Sequence, residues 1–318
     1  MNIRKIVIRA AVVVIGLPVA LVLIAVVSFY ALLSSYAVNR TNGAIVSSGQ
    51  KREYLLYVPR SYDRAKPTPL VISMHAAAVW PATQREVSQW NKVADEHGFI
   101  VVYPSGTNLR GKGTGVLPFR VWLLRPEADL VANVRFISEL IDTLEATYNI
   151  DPTRIYANGF SNGGAMTFAL SCRLSHRIAA VGTVSAAQDQ PFSWCADSRP
   201  VPLINFHGTD DLVPYNGGKV WASPRPFPSV LTWTANWARR NRCGSNPIES
   251  VVAADVTRLE YTNCADDAAV VLYTVQGGGH SWPGGKPLPA WIVGPTSRSI
   301  DATSQMWAFF RQHRLLRN

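Results

Sequence analysis

The segment RIYANGFSNGGAM, residues 154–166, carries an apolar run directly into Gly159-x-Ser161-x-Gly163 and then into a helical stretch. No other feature constrains the chain as tightly. A residue held at a sharp strand-to-helix junction takes a strained backbone, and glycines two positions away on either side remove side chains that would collide with it. Three uses fit such a junction: a bare turn, a loop that cradles phosphate, or a seat for a nucleophile. The phosphate loop is disfavoured because no Lys-Ser/Thr pair follows the glycines.

The surroundings supply the strand and the helix that the junction requires. EYLLYV, PLVISMH, FIVVYP, RIYANGFS, IAAVGTVS, VPLINFHG and AAVVLYTVQGGGH read as strands. REVSQWNKVADEHG reads as one helix stopped by Gly98. Residues 129–148 place Leu130, Val134, Ile137, Ile141, Leu144 and Tyr148 at helical spacing, a further helix starts near Asn162, and PSVLTWTANWARRNRC and DATSQMWAFFRQH follow. Strands alternating with helices predict an α/β fold, a mostly parallel sheet with helices on both faces. With 47% hydrophobic and 16% charged residues in 318, the chain can fill one large core. The organisation expected is an N-terminal segment 1–35, a polar linker 36–49 and one domain 50–318.

Residues 10–33 contain no charge and are long enough to cross a bilayer, with Arg4, Lys5 and Arg9 ahead of them. They predict a signal anchor with the rest of the chain exported; a cleaved signal peptide is the rival reading. The net charge of +10 comes from 31 basic and 21 acidic residues scattered along the chain. They form no basic, aromatic-interleaved stripe, so nucleic acid is not an expected partner. No obligate protein partner is evident. The four cysteines show no metal-ligand spacing. In an exported chain they are expected as two disulfides, most simply Cys172–Cys195 and Cys243–Cys264, with free buried thiols as the alternative.

In an open α/β sheet, functional side chains gather at the carboxyl ends of strands. Three strands end in Ser161, in the pair Asp210-Asp211 and in His280. A serine hydroxyl needs a base to take its proton. Of the six histidines, His280 alone sits in a glycine-rich loop at a strand end with no other evident role. The acid that orients it is Asp211 by the count forward from His207; the count back from VPY leaves Asp210 open. An anion developing in acyl transfer needs N–H donors, expected from Asn162 and from the loop at Ala76 or Ala77. Trp282, Tyr215, Trp122 and Trp80 are candidates to line an acyl or phenolic pocket. No metal or organic cofactor is called for.

GFSNGGAM, FHGTDDLVPYNGG, W…RNRC with YTNC, and GGGHSWPGG together resemble the polyhydroxybutyrate depolymerase and feruloyl esterase group of α/β-hydrolases, from about residue 50 to MWAFF. The resemblance implies a secreted serine esterase acting on small or oligomeric esters of short hydroxy acids or aromatic acids, and the same cysteine pairing. Two departures stand out. The family's His-Gly loop is His75-Ala76-Ala77-Ala78 here, and the aspartate loop is one residue shorter. A serine peptidase with the same triad and a hydrolase fold used only for binding are the competing functions.

Overall fold

The computed structural model describes residues 40–108, 119–188, 192–195, 197, 199–220 and 223–315, with Ile24 alone before them. The anchor expected over residues 10–33 lies outside the described residues. Among those described, no helix is long and apolar enough to cross a membrane.

Ten strands form one sheet in the order β1-β2-β4-β3-β7-β8-β9-β12-β11-β10. Its centre is parallel: β4 (Ile100–Pro104), β3 (Thr68–Met74), β7 (Ile150–Phe160), β8 (Ala180–Val184), β9 (Leu203–Gly208) and β12 (Val270–Val275). Every residue of β3, β4, β8, β9 and β12 is buried, which is why these segments read as continuous apolar runs rather than as alternations. An antiparallel hairpin closes each edge. On one side β1 (Gly43–Ser47) and β2 (Gln50–Tyr57) pair through the two-residue turn Ser48-Gly49, both with positive φ as a primed turn requires. On the other, β10 (Ile248–Ala253) and β11 (Val256–Tyr261) extend β12. The expected linker 36–49 therefore contains a strand, and the second hairpin was not foreseen. A small two-stranded sheet, β5 (Thr107–Asn108) and β6 (Arg120–Val121), stands apart.

Side-chain alternation divides the core into two layers. Leu70, Ile72 and Met74 face α3 (Glu127–Thr147), α4 (Asn162–Arg173) and α5 (Val230–Arg240), where Phe136, Phe168, Trp233 and Trp237 pack. Val71, Val101 and Tyr156 face the opposite layer, where Trp90, Phe99, Trp307 and Phe310 lie. There α6 (Ala302–Phe310) contributes Trp307, stacked on Phe99 at 4.0 Å between ring centroids. The single helix expected over REVSQWNKVADEHG is two, α1 (Pro81–Ser88) and α2 (Trp90–His97). Gln89 adopts a left-handed conformation between them, and its N–H closes α1 on Arg85 O. The disulfides are Cys172–Cys195 and Cys243–Cys264, as expected. Each restricts a loop of roughly twenty residues, worth about 3 kcal/mol in the chain-entropy account.

Candidate functional site

Ser161 closes β7 and begins α4 with φ 53 and ψ −116, a backbone that non-glycine residues rarely adopt. A Cβ on Gly159 would run into the backbone of Gly163, and one on Gly163 into the carbonyls of Met74 and His75. Both glycines are thus fixed by close approach, and the elbow is wedged against the end of β3.

Asp211 and His280 come together as the sequence reading required. His280 Nδ1 lies 2.6 Å from Asp211 Oδ1, and the Asp211 side chain is fully buried. The same oxygen accepts the Val213 N–H at 2.7 Å. Burial alone would raise the Asp211 carboxyl, but the hydrogen bond and charge of His280, with His207 behind them, hold it below its ordinary value. Asp210 is exposed and receives the Thr209 hydroxyl at 3.3 Å. The geometry therefore separates the two aspartates that the sequence left open.

The imidazole of His280 rests on the ring of Phe160, the residue before Ser161, with centroids 5.0 Å apart. Its loop is pinned by His280 N–H to Val293 O at 2.5 Å and Gly279 N–H to Pro295 O at 2.8 Å. No hydrogen bond joins Ser161 to His280 here. In sites of this type that bond often tightens only with substrate in place.

The amides of Asn162 and Ala76, the expected anion donors, donate to no acceptor among the described residues. Their scaffold went largely unread in the sequence. His75 is fully buried, and its Nε2 accepts the Gly106 N–H at 2.9 Å, so its Nδ1–H donates to Ala76 O at 2.7 Å. Ala78 has φ 62 and donates its N–H to Arg120 O at 2.8 Å. The Asn162 side chain bonds both backbone groups of Trp122, at 2.7 and 3.0 Å. His207 lies on the far side of Asp211, with Nε2 donating to Val213 O at 2.8 Å and standing 3.7 Å from Asp211 Oδ2. A histidine four residues before the aspartate was the available signal.

The expected pocket tryptophans are corrected by burial. Trp282, 1% exposed, gives its indole N–H to Thr303 Oγ1 and packs edge-on against Phe160. Trp122 is equally buried and donates to His75 O. Trp80 is buried beside Phe119. All three are too well enclosed to meet a substrate and act as walls behind the loops. Tyr215 is half-buried, its hydroxyl bonded to Thr274. It lines a cavity of about 600 Å3 against α5 and β11 whose wall includes neither Ser161 nor His280. Among the described residues, no cluster of three His, Cys, Asp or Glu could hold a metal ion.

Burial also sets an acid sensitivity. Desolvation holds His75 and His313 neutral, each lowered to about 4 from 6.5. Below pH 6.5 the unfolded chain takes up protons that the folded chain refuses, so stability is full above 6.5 and declines as pH falls towards 4. For His75 the decline is up to about 3 kcal/mol. The melting temperature is expected to fall steadily between pH 7 and 4.5; a flat profile there would contradict the burial of these rings.

A family model described as Phospholipase/Carboxylesterase matches residues 122–222, which include Ser161 and Asp211 and stop before His280. The acetyl xylan esterase of Aspergillus awamori superposes with a TM-score of 0.55 at 16% identity, over 75% of this chain and 93% of that one. The chain has the α/β-hydrolase fold. In sequence the chain is similar to feruloyl esterase B of Piromyces equi, 30% identical over 242 residues, which are 74% of this chain and 44% of that protein. It is 33% identical over 165 residues to a bifunctional acetylxylan esterase/xylanase of Neocallimastix patriciarum, covering 52% and 22%. Feruloyl esterase C of Emericella nidulans is 28% identical over 275 residues, 85% of this chain and 87% of that one. The chain thus spans less than half the length of the first two relatives.

Proposed function

We propose that the protein is a serine carboxylesterase acting on esters of aromatic acids or short hydroxy acids. The observation that carries this reading is the buried Asp211–His280 pair, 2.6 Å apart, set beside the strained Ser161 elbow. Similarity to feruloyl and acetylxylan esterases supports the substrate class.

In this mechanism the Ser161 hydroxyl oxygen attacks the ester carbonyl while His280 Nε2 takes its proton. Asp211 accepts the Nδ1–H and stabilises the imidazolium. The oxyanion of the tetrahedral intermediate is held by the Asn162 and Ala76 amides. Collapse breaks the bond to the alcohol, which leaves with the proton from His280, and the acyl group stays on Ser161. Water then attacks the acyl carbonyl and gives its proton to His280, and collapse breaks the bond to Ser161, whose oxygen takes that proton back as the acid is released. Ala78 occupies its left-handed conformation at a penalty of about 1 kcal/mol that glycine would avoid. That conformation commits the Ala78 N–H to Arg120 O and leaves the Ala76 N–H without an acceptor among the described residues.

The two disulfides fit an exported protein. The charge-free run 10–33 would hold it at the outer face of the inner membrane; recovery of full-length protein in the carbonate-resistant membrane fraction would bear this out. The activity is tested with 4-nitrophenyl acetate, methyl ferulate and peptide anilides, alongside a fluorophosphonate probe. Turnover of the esters, silence of the anilides and labelling of Ser161 are expected. No ester turnover and no label would leave only a binding role.

A further inference from the structure

A cavity of about 440 Å3 opens where β2 begins, β4 ends and α3 begins, and its wall includes Lys51, Arg52, Glu53, Arg120, Asp129 and Ala132. Arg52 is 5% exposed. Its Nη2 donates to Asn133 Oδ1 at 2.9 Å and to Ser105 O at 3.3 Å, and its guanidinium lies 4.0 Å over the Phe136 ring. It forms no ion pair among the described residues. Glu53, its chain neighbour, is shared between Lys51 at 3.6 Å and Arg120 at 3.5 Å. The Nε atoms of Arg52 and Arg120 are buried with no hydrogen-bond partner. Asp129 sits in the first turn of α3, where the helix dipole offsets its charge.

A guanidinium keeps its proton at neutral pH, and buried charges are normally paired. Here burial, helped by the charge of Arg120, lowers Arg52 only to about 10. Arg52 lines the cavity with no carboxylate paired to it among the described residues, and a buried cation so placed is a seat for a planar oxyanion, which guanidinium groups bind through their N–H donors. The cavity also lies on the catalytic edge of the sheet. The end of β4 is two strands from the end of β7, so it stands about 10 Å from the elbow. The same segments hold the Ala76–Ala78 loop, through Gly106 N–H to His75 and Ala78 N–H to Arg120 O.

We infer that this cavity is a carboxylate subsite, taking either an acidic group carried by the substrate remote from its ester, such as a uronate, or a free small oxyanion. Only the substrate-borne source rests on the esterase reading. The test compares wild type with Arg52→Met and Ala132→Phe, the second filling the cavity from α3 with every charge retained, in case the first does not fold. In melting experiments at constant ionic strength, D-glucuronate or inorganic phosphate at saturating concentration is expected to raise the wild-type Tm by about 2–4 °C. Both variants are expected to lose the shift. In kinetics, a feruloylated oligosaccharide bearing glucuronate is expected to show a KM about tenfold lower than its neutral counterpart. The variants should erase that preference while turning over 4-nitrophenyl acetate within twofold of wild type. A Tm shift without a KM preference assigns the site to a free anion. A Tm shift with no ester turned over at all would remove the esterase reading and leave the site standing. No shift and no preference in wild type, or a shift that both variants retain, would overturn the inference.

Discussion

Replacing Ser161 by alanine is expected to lower kcat on 4-nitrophenyl acetate by about 10^4-fold or more, with no loss of folded protein. The size follows from the role: without the hydroxyl there is no acyl-enzyme, and what survives comes from binding and the oxyanion donors alone. Stability is expected to move the other way in a companion variant. With φ at 53, Ser161 carries strain of about 1–2 kcal/mol that glycine would relieve. Ser161→Gly is therefore expected to raise Tm by about 2–4 °C while being as inactive as the alanine variant. Activity in Ser161→Ala within a hundredfold of wild type would mean that another group performs the attack, whatever the melting curves show.

That the elbow could be read before any coordinates reflects how little freedom the junction leaves. A buried parallel strand announces itself as an unbroken apolar run, and RIYANGFS, VPLINFHG and AAVVLYTV each lead to a residue of the candidate site. What escaped depends on neighbours distant in the chain. Nothing in REVSQWNK marks Gln89 as left-handed; the break turns Trp90 into the core, where it stacks on Phe310. The hairpin of β10 and β11 is mostly solvent-facing on its outer strand, so IESVVAADVTRLEY lacks the apolar continuity that exposed the central strands. Trp282 and Trp122 looked like pocket residues because they flank functional loops. Their indole N–H groups are committed inward, to Thr303 and His75, and no local pattern encodes that choice. His75, one of the five histidines not chosen as the base, holds the Ala76 carbonyl through its ring, a contact no local pattern announces.

The aspartate pair gives the second large effect. Asp211→Asn is expected to lower kcat by about 10^4-fold, whereas Asp210→Asn should change it by less than about threefold. The two side chains are adjacent in sequence and differ in what they face. Asp211 Oδ1 accepts both the Val213 N–H and the His280 Nδ1–H inside the fold, so an amide there can turn its NH2 towards His280 Nδ1. The imidazole would then carry its proton on Nε2 and be unable to take one from Ser161. The carboxyl of Asp211, lowered against the pull of burial by its histidine partners, stays ionised throughout the neutral range. Raising the pH within that range should therefore not distinguish wild type through this group. The loss in the asparagine variant should appear in kcat with KM little changed, because orientation of the base matters in the transition state more than in the bound ester. Among the described residues the Asp210 side chain meets Thr209 at the surface, and its removal touches neither the tautomer nor the position of His280. Equal losses in the two variants would show that the turn as a whole, rather than one carboxylate, supports the histidine.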